Sequence, residues 1–113
     1  MRKAGPRIPA TLEDNGMEIV CPSSDRQKDV MHIIYNNVKS NMPADMDRFR
    51  RVGDELKATG AEAIILGCTE LSLVKRDNFI GPGYIDAMEV LAQQSLLLCG
   101  SVLKKEYEEL ITV

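Results

Sequence analysis

Three observations predict an α/β chain, a single lobe in which a short parallel sheet is flanked by helices. Segments with helical spacing alternate with short apolar runs. The run Glu62–Leu66, with Ile64, Ile65 and Leu66 between glycines, reads as a strand buried on both faces. Its carboxyl end carries Gly67-Cys68-Thr69-Glu70 and then Leu71, Leu73 and Val74, which can begin a helix. Strand–helix–strand order in one sheet implies right-handed crossovers and parallel pairing.

Taken in order, residues 1–9 carry prolines at 6 and 9 and are expected to be disordered or extended. The lobe is expected over residues 10–107, with 108–113 a polar, fraying tail. Ala10–Asn15 suits a short helix with Asn15-Gly16 as its C-cap. Met17–Cys21 reads as a strand stopped by Pro22, with Cys21 in the core. Ser24 with Gln27 forms a capping-box pattern. It opens a helix to about Lys39, with Met31, Ile34, Tyr35 and Val38 on the inner face and His32 at its margin.

Pro43 is placed to start the next helix, to Ala58, with Met46, Phe49, Val52 and Leu56 inward. Arg48, Arg50 and Arg51 are expected on solvated faces beside Asp45, Asp47, Asp54 and Glu55. Gly60 supplies a left-handed cap before the central strand. After it, a short helix or turn should reach Val74, then a polar loop Lys75–Asn78. Phe79–Ile85, interrupted by Gly81, Pro82 and Gly83, allows only a short irregular strand. Asp86 and Glu89 form a second capping-box pattern and open the longest helix. Its expected inner stripe is Ala87, Val90, Leu91, Gln94, Leu97, Leu98, Ser101 and Val102, with Cys99 packed within it and Met88, Leu96 and Val102 prone to exposure.

Composition excludes several classes. A net charge of −3 without like-charge runs offers nothing to nucleic acid, and no stretch approaches the ~20 apolar residues of a membrane span. Three cysteines without a CxxC pair, and one histidine, argue against a disulfide scaffold or a zinc site. The basic N-terminus lacks an apolar signal core, so a reducing cytoplasm is the expected location.

Ligands of open α/β sheets bind beyond the carboxyl ends of the strands. There the sequence delivers a thiol, a hydroxyl and a carboxylate. Gly67 permits a sharp turn or the close approach of a ligand. If Thr69 begins a helix, Cys68 lies at its N-terminus, where partial positive charge favours a thiolate. A free cysteine at a strand end is commonly a small packed side chain; the Gly-Cys-Thr-Glu context argues for chemistry instead.

Gly60-Ala61, the Ile-Ile-Leu strand and Gly67-Cys68-Thr69-Glu70 together resemble the second catalytic cysteine motif of the aspartate/glutamate racemase superfamily. Glu70, where glutamate racemases usually carry histidine, is closer to the aspartate racemase branch. The resemblance runs from about Pro9 to Leu103 and covers the C-terminal half of a family member. It implies a partial flavodoxin-like or Rossmann-like lobe, equivalent to the second of two. It also implies cofactor-independent racemisation of aspartate or glutamate, without pyridoxal phosphate.

In that chemistry one cysteine removes the Cα proton while another returns a proton from the opposite face. Cys68 would be one of the pair, with Thr69 and Glu70 holding or orienting substrate. Ile33–Lys39 resembles the segment whose lysine contacts a substrate carboxylate; Tyr35 and Lys39 match it, although Ser40-Asn41 replaces the commoner glycine. On dipole grounds alone Lys39 is a helix-end lysine. The resemblance further implies a missing first lobe, or a homodimer partner, to supply the second thiol. It also implies a vacant strand position between Met17–Cys21 and Glu62–Leu66. The alternative is a non-catalytic α/β remnant or interaction module.

Overall fold

The computed structural model describes residues 7–113. Helix α1 (Arg7–Asp14) starts three residues before the expected Ala10, because proline is tolerated in a helical first turn, where the N–H is unpaired anyway; the rest of the expected N-terminal tail lies outside the described residues. Met17–Cys21 is extended but pairs with no strand among the described residues. Without a neighbour to bury it, Cys21 is exposed and not in the core.

Helix α2 (Ser24–Met31) is capped by Ser23, one residue earlier than expected, whose hydroxyl accepts from the Arg26 amide. Glu55 holds Ser23 in place by accepting from both its backbone N–H and its hydroxyl, at 2.8 and 2.7 Å. Beyond Met31 the chain winds as a π-helix over His32–Asn37 and a 3₁₀ turn over Val38–Ser40. This wider winding explains why a 3.6-residue period picked the wrong face. Ile33 and Asn37 are buried, with Val30 and Val38 packed beside them, whereas Met31 and Tyr35 are exposed.

Helix α3 (Met46–Ala58) begins after Asp45, which caps the amides of Asp47 and Arg48, so Pro43 lies outside it. Its inner face is the one expected: Phe49, Val52 and Leu56 buried and Met46 packed against them. Gly60 takes φ +97° and turns the chain into β1 (Ile64–Leu66). β2 (Tyr84–Asp86) lies parallel to it, with Ile64 opposite Tyr84 and Leu66 opposite Asp86.

Ile64, Leu66, Tyr84 and Asp86 share one face by strand alternation. The three apolar members join Ile33, Phe49, Val52, Leu56 and Val74 in the core. The other face is open: Ile65 is 41% exposed, so β1 is a half-buried strand and not one covered on both sides.

Helix α4 (Thr69–Asp77) absorbs most of the expected polar loop. Helix α5 (Ala87–Leu98) is one residue shorter than α3. It contributes no buried residue, and the expected inner stripe is outward: Leu91 is 63%, Leu98 88% and Val102 95% exposed. Cys99 is its exposed C-cap, not a packed helical residue. The tail is not loose. Thr112 exchanges backbone hydrogen bonds with Gly83 and Tyr84, and its hydroxyl accepts from the Tyr84 amide and donates to the Gly81 carbonyl. Thr112 thus pairs along the edge of β2 away from β1.

Asp29 is the one buried charge of the α2–α3 interface. Arg48 binds it at 2.8 Å, Arg26 at 3.2 Å and Arg51 at 3.4 Å, so Arg48 and Arg51 are interface residues more than solvated ones. Burial alone would raise its pKa, but hydrogen bonds from Arg51 and Arg48 and the charge of Arg26 hold it below the ordinary value. A carboxylate with a depressed folded pKa contributes stability that is present above its unfolded pKa, ~3.9, and is lost as pH falls through the folded value. Asp29→Asn is therefore expected to lower the urea midpoint at neutral pH and to flatten the fall in stability below about pH 4. Urea titrations at a series of pH values check both.

Gly53 on α3 faces β2, where an added Cβ would overlap the Tyr84 hydroxyl. Tyr84 cannot easily retreat, since its ring is buried and packs on Phe49 with centroids 5.3 Å apart. Gly53→Ala is expected to destabilise the fold by about 1–3 kcal/mol through overpacking, despite the better helix propensity of alanine. An unchanged or raised urea midpoint would contradict this.

Candidate active site

Parallel pairing puts the carboxyl ends of β1 and β2 side by side, and both feed directly into helices. After β1, Gly67 leads to Cys68, the N-cap of α4, in extended conformation (φ −142°, ψ 165°). Thr69 is the first helical residue, as the sequence suggested. Gly67 does not adopt a left-handed conformation, and nothing lies within 4 Å of where its Cβ would be. The turn thus needs no glycine for its own sake, and the space beside Cys68 is open. Thr69 is exposed, and Cys68 and Glu70 are half-buried.

Lys39 arrives from the other side. Asn41 takes φ +59° in the left-handed region, which asparagine tolerates better than other non-glycine residues. It donates its N–H to the Val38 carbonyl and closes the 3₁₀ turn. The turn is anchored at Asn37, whose buried side chain accepts the Asp45 amide. These contacts place the Lys39 ammonium 4.0 Å from the Glu70 carboxylate and 4.9 Å from the centre of the Tyr35 ring. An ion pair this long and half-exposed is weak, about 0–1 kcal/mol at most, and an incoming carboxylate can compete for the lysine. Cys68, Thr69, Glu70 and Lys39 thus converge on one patch.

The thiol is not activated in the way its helix position suggested. Cys68 makes no capping hydrogen bond. Burial pushes its pKa up, and the nearby Glu70 charge and carboxylate push in the same direction. The backbone amides of Leu71 and Glu70 favour the thiolate but do not outweigh the rest. Desolvation therefore wins over the helix terminus. Cys68 is a protonated thiol at neutral pH, suited first to giving a proton.

Sequence reasoning missed Ser72. Its amide donates to the Cys68 carbonyl at 3.1 Å, the first hydrogen bond of α4. Its hydroxyl donates to Asp86 Oδ1 at 2.6 Å, and the same oxygen accepts the Met88 amide at 2.9 Å and caps α5. Asp86 was legible as that cap; Glu89 is not its capping-box partner but binds Lys75 at 2.7 Å. A different cleft, about 490 Å³ in volume, lies at the far end of α4 between Lys75, Asn78 and the C-terminal residues. Cys68 does not line it.

With this geometry described, the comparison with known proteins is informative. The model of the Asp/Glu/hydantoin racemase family matches residues 2–95, and the chain belongs to that family. No solved structure matches it. Among the described residues, no helix is long and apolar enough to cross a membrane.

Removing the Glu70 charge is expected to lower the Cys68 pKa, because that charge is one of the forces holding it up. Glu70→Gln should therefore raise the alkylation rate of Cys68 at neutral pH. Iodoacetamide labelling resolved by peptide mass spectrometry measures this, with Cys21 and Cys99 as exposed reference thiols. A slower reaction of Cys68 in the variant would show that Glu70 acts on it differently.

Proposed function

We propose that this chain acts in cofactor-independent racemisation of an acidic amino acid, aspartate or glutamate. In this reading Cys68 is one of two thiols that exchange the Cα proton. The observation that carries the reading is the convergence of Cys68 and Thr69 with the Lys39–Glu70 pair at the strand ends. Lys39 takes the substrate carboxylate in place of Glu70. The freed Glu70 turns to the substrate ammonium, and the Thr69 hydroxyl donates to a carboxylate oxygen. Cα then faces the Cys68 sulfur across the open space at Gly67.

Because Cys68 rests as a thiol, it is the proton donor in the direction first accessible at neutral pH. A thiolate on the opposite face is the base. Proton removal leaves an enolate-like carbanion, and the Cys68 S–H bond breaks as the new Cα–H bond forms. Cys68 ends as thiolate and is ready for the reverse reaction. The opposite thiolate comes from another lobe or a second copy. Cys99 is no substitute within the chain, since it ends α5 about 18 Å along the axis from the strand end.

A second reading is favoured by one observation: the thiol is held above its ordinary pKa instead of being activated. On that reading the chain is a non-catalytic α/β remnant or interaction module, and Cys68 is a packed thiol.

Incubation with L-aspartate or L-glutamate in heavy water separates the two. A surviving half-site is expected to incorporate deuterium at Cα with retention, slowly at neutral pH and faster as Cys68 deprotonates, and Cys68→Ser should abolish this. Full inversion, also lost in Cys68→Ser, would mean that a second copy supplies the opposite thiol. Absence of exchange at any pH, with no protection of Cys68 from alkylation by either amino acid, would sink the racemase reading.

A further inference from the structure

Asp86 is only 4% exposed, yet it carries a carboxylate and sits one residue before α5 begins. Helix capping explains one of its bonds. It does not explain why the same oxygen reaches across to the neighbouring helix and holds Ser72 at 2.6 Å, the shortest side-chain contact in this region. Through its amide, Ser72 is in turn the residue bonded to the Cys68 carbonyl. One carboxylate oxygen therefore ties the first turns of two helices together directly behind the thiol.

We propose that Ser72 and Asp86 are positioning residues for Cys68, fixing the first turn of α4 and so the attitude and burial of the sulfur at its N-cap. This rests on the reading of Cys68 as an acid–base group, but the linkage is structural and can be tested without substrate. The charges around this end of α4 are Glu70 on the helix, Lys39 from the 3₁₀ turn and Asp86 from β2, while the Lys75–Glu89 pair lies toward the helix's other end. When the Ser72–Asp86 bond is lost, the first turn of α4 is free to fray. Fraying exposes the sulfur to water and moves it away from its present balance of burial and amide contacts.

The test is the pH profile of Cys68 alkylation by iodoacetamide, read by peptide mass spectrometry alongside Cys21 and Cys99. Ser72→Ala removes the hydroxyl while favouring the helix. Asp86→Ser retains a side chain able to cap α5 but too short to hold Ser72. Both are expected to shift the Cys68 profile toward that of the reference cysteines, with a rise of about threefold in its rate near neutral pH, corresponding to about half a pKa unit. Ser72→Thr, which keeps the hydroxyl, should restore the wild-type profile. A folded Ser72→Ala or Asp86→Ser protein with a reduced urea midpoint but an unmoved Cys68 profile would show a merely structural bond and overturn the proposal. So would a Ser72→Thr protein that behaves like Ser72→Ala. The racemase reading fails by a different measurement, the absence of Cα exchange and of amino-acid protection, so the two failures are distinguishable.

Discussion

The pairing of β1 with β2 is the constraint on which the rest of the molecule depends. It spans only three residues per strand, but its register sets Leu66 opposite Asp86. That alignment brings the N-termini of α4 and α5 to the same edge of the sheet. A slip of one residue would turn Ile64 and Leu66 away from the core and carry Asp86 away from Ser72. Packing protects the register from below, through Tyr84 on Phe49 and against Gly53. It is also held from the side, where Thr112 binds the backbone on both sides of the Gly83–Tyr84 peptide.

Electrostatics in this small lobe are handled in two ways. At the α2–α3 interface a buried carboxylate is matched by three guanidinium groups, and the charge is retained. At the strand ends the thiol is enclosed beside a carboxylate that is only loosely matched by Lys39, and the neutral form is favoured. The first arrangement holds helices together. The second leaves a proton available and a lysine that is not firmly engaged, which is the state a site awaiting an anionic ligand requires.

The sequence was most legible where a single local rule governs. The Ile-Ile-Leu strand, the Gly60 turn, the Phe49–Val52–Leu56 face and the helix start at Thr69 each follow from residues adjacent in the chain. Misreadings arose where distant residues decide. The π-wound segment broke the period on which its inner face was judged. Met17–Cys21 has strand composition, but a strand exists only beside another, and none lies there among the described residues. The α5 stripe is apolar at helical spacing, yet α5 contributes nothing to the core. The site was legible through Cys68, Thr69, Glu70 and Lys39. Ser72 was not, because its importance lies in a bond to a residue fourteen positions away.

The π-helix at His32–Asn37 has a consequence for how this segment tolerates genetic change. A π turn is an α-helix that has accommodated an additional residue. Loss of one codon there would let the helix relax to regular winding and rotate everything downstream by about 100° about the axis. Lys39 would swing off the strand ends, and the buried Asn37 would leave the Asp45 amide it now holds. Substitutions at exposed positions such as Tyr35 or Asn36 leave the winding alone. The segment is therefore more sensitive to the number of its residues than to the identity of many of them, and the reading frame of the helix, in the spatial sense, is what keeps the lysine on station.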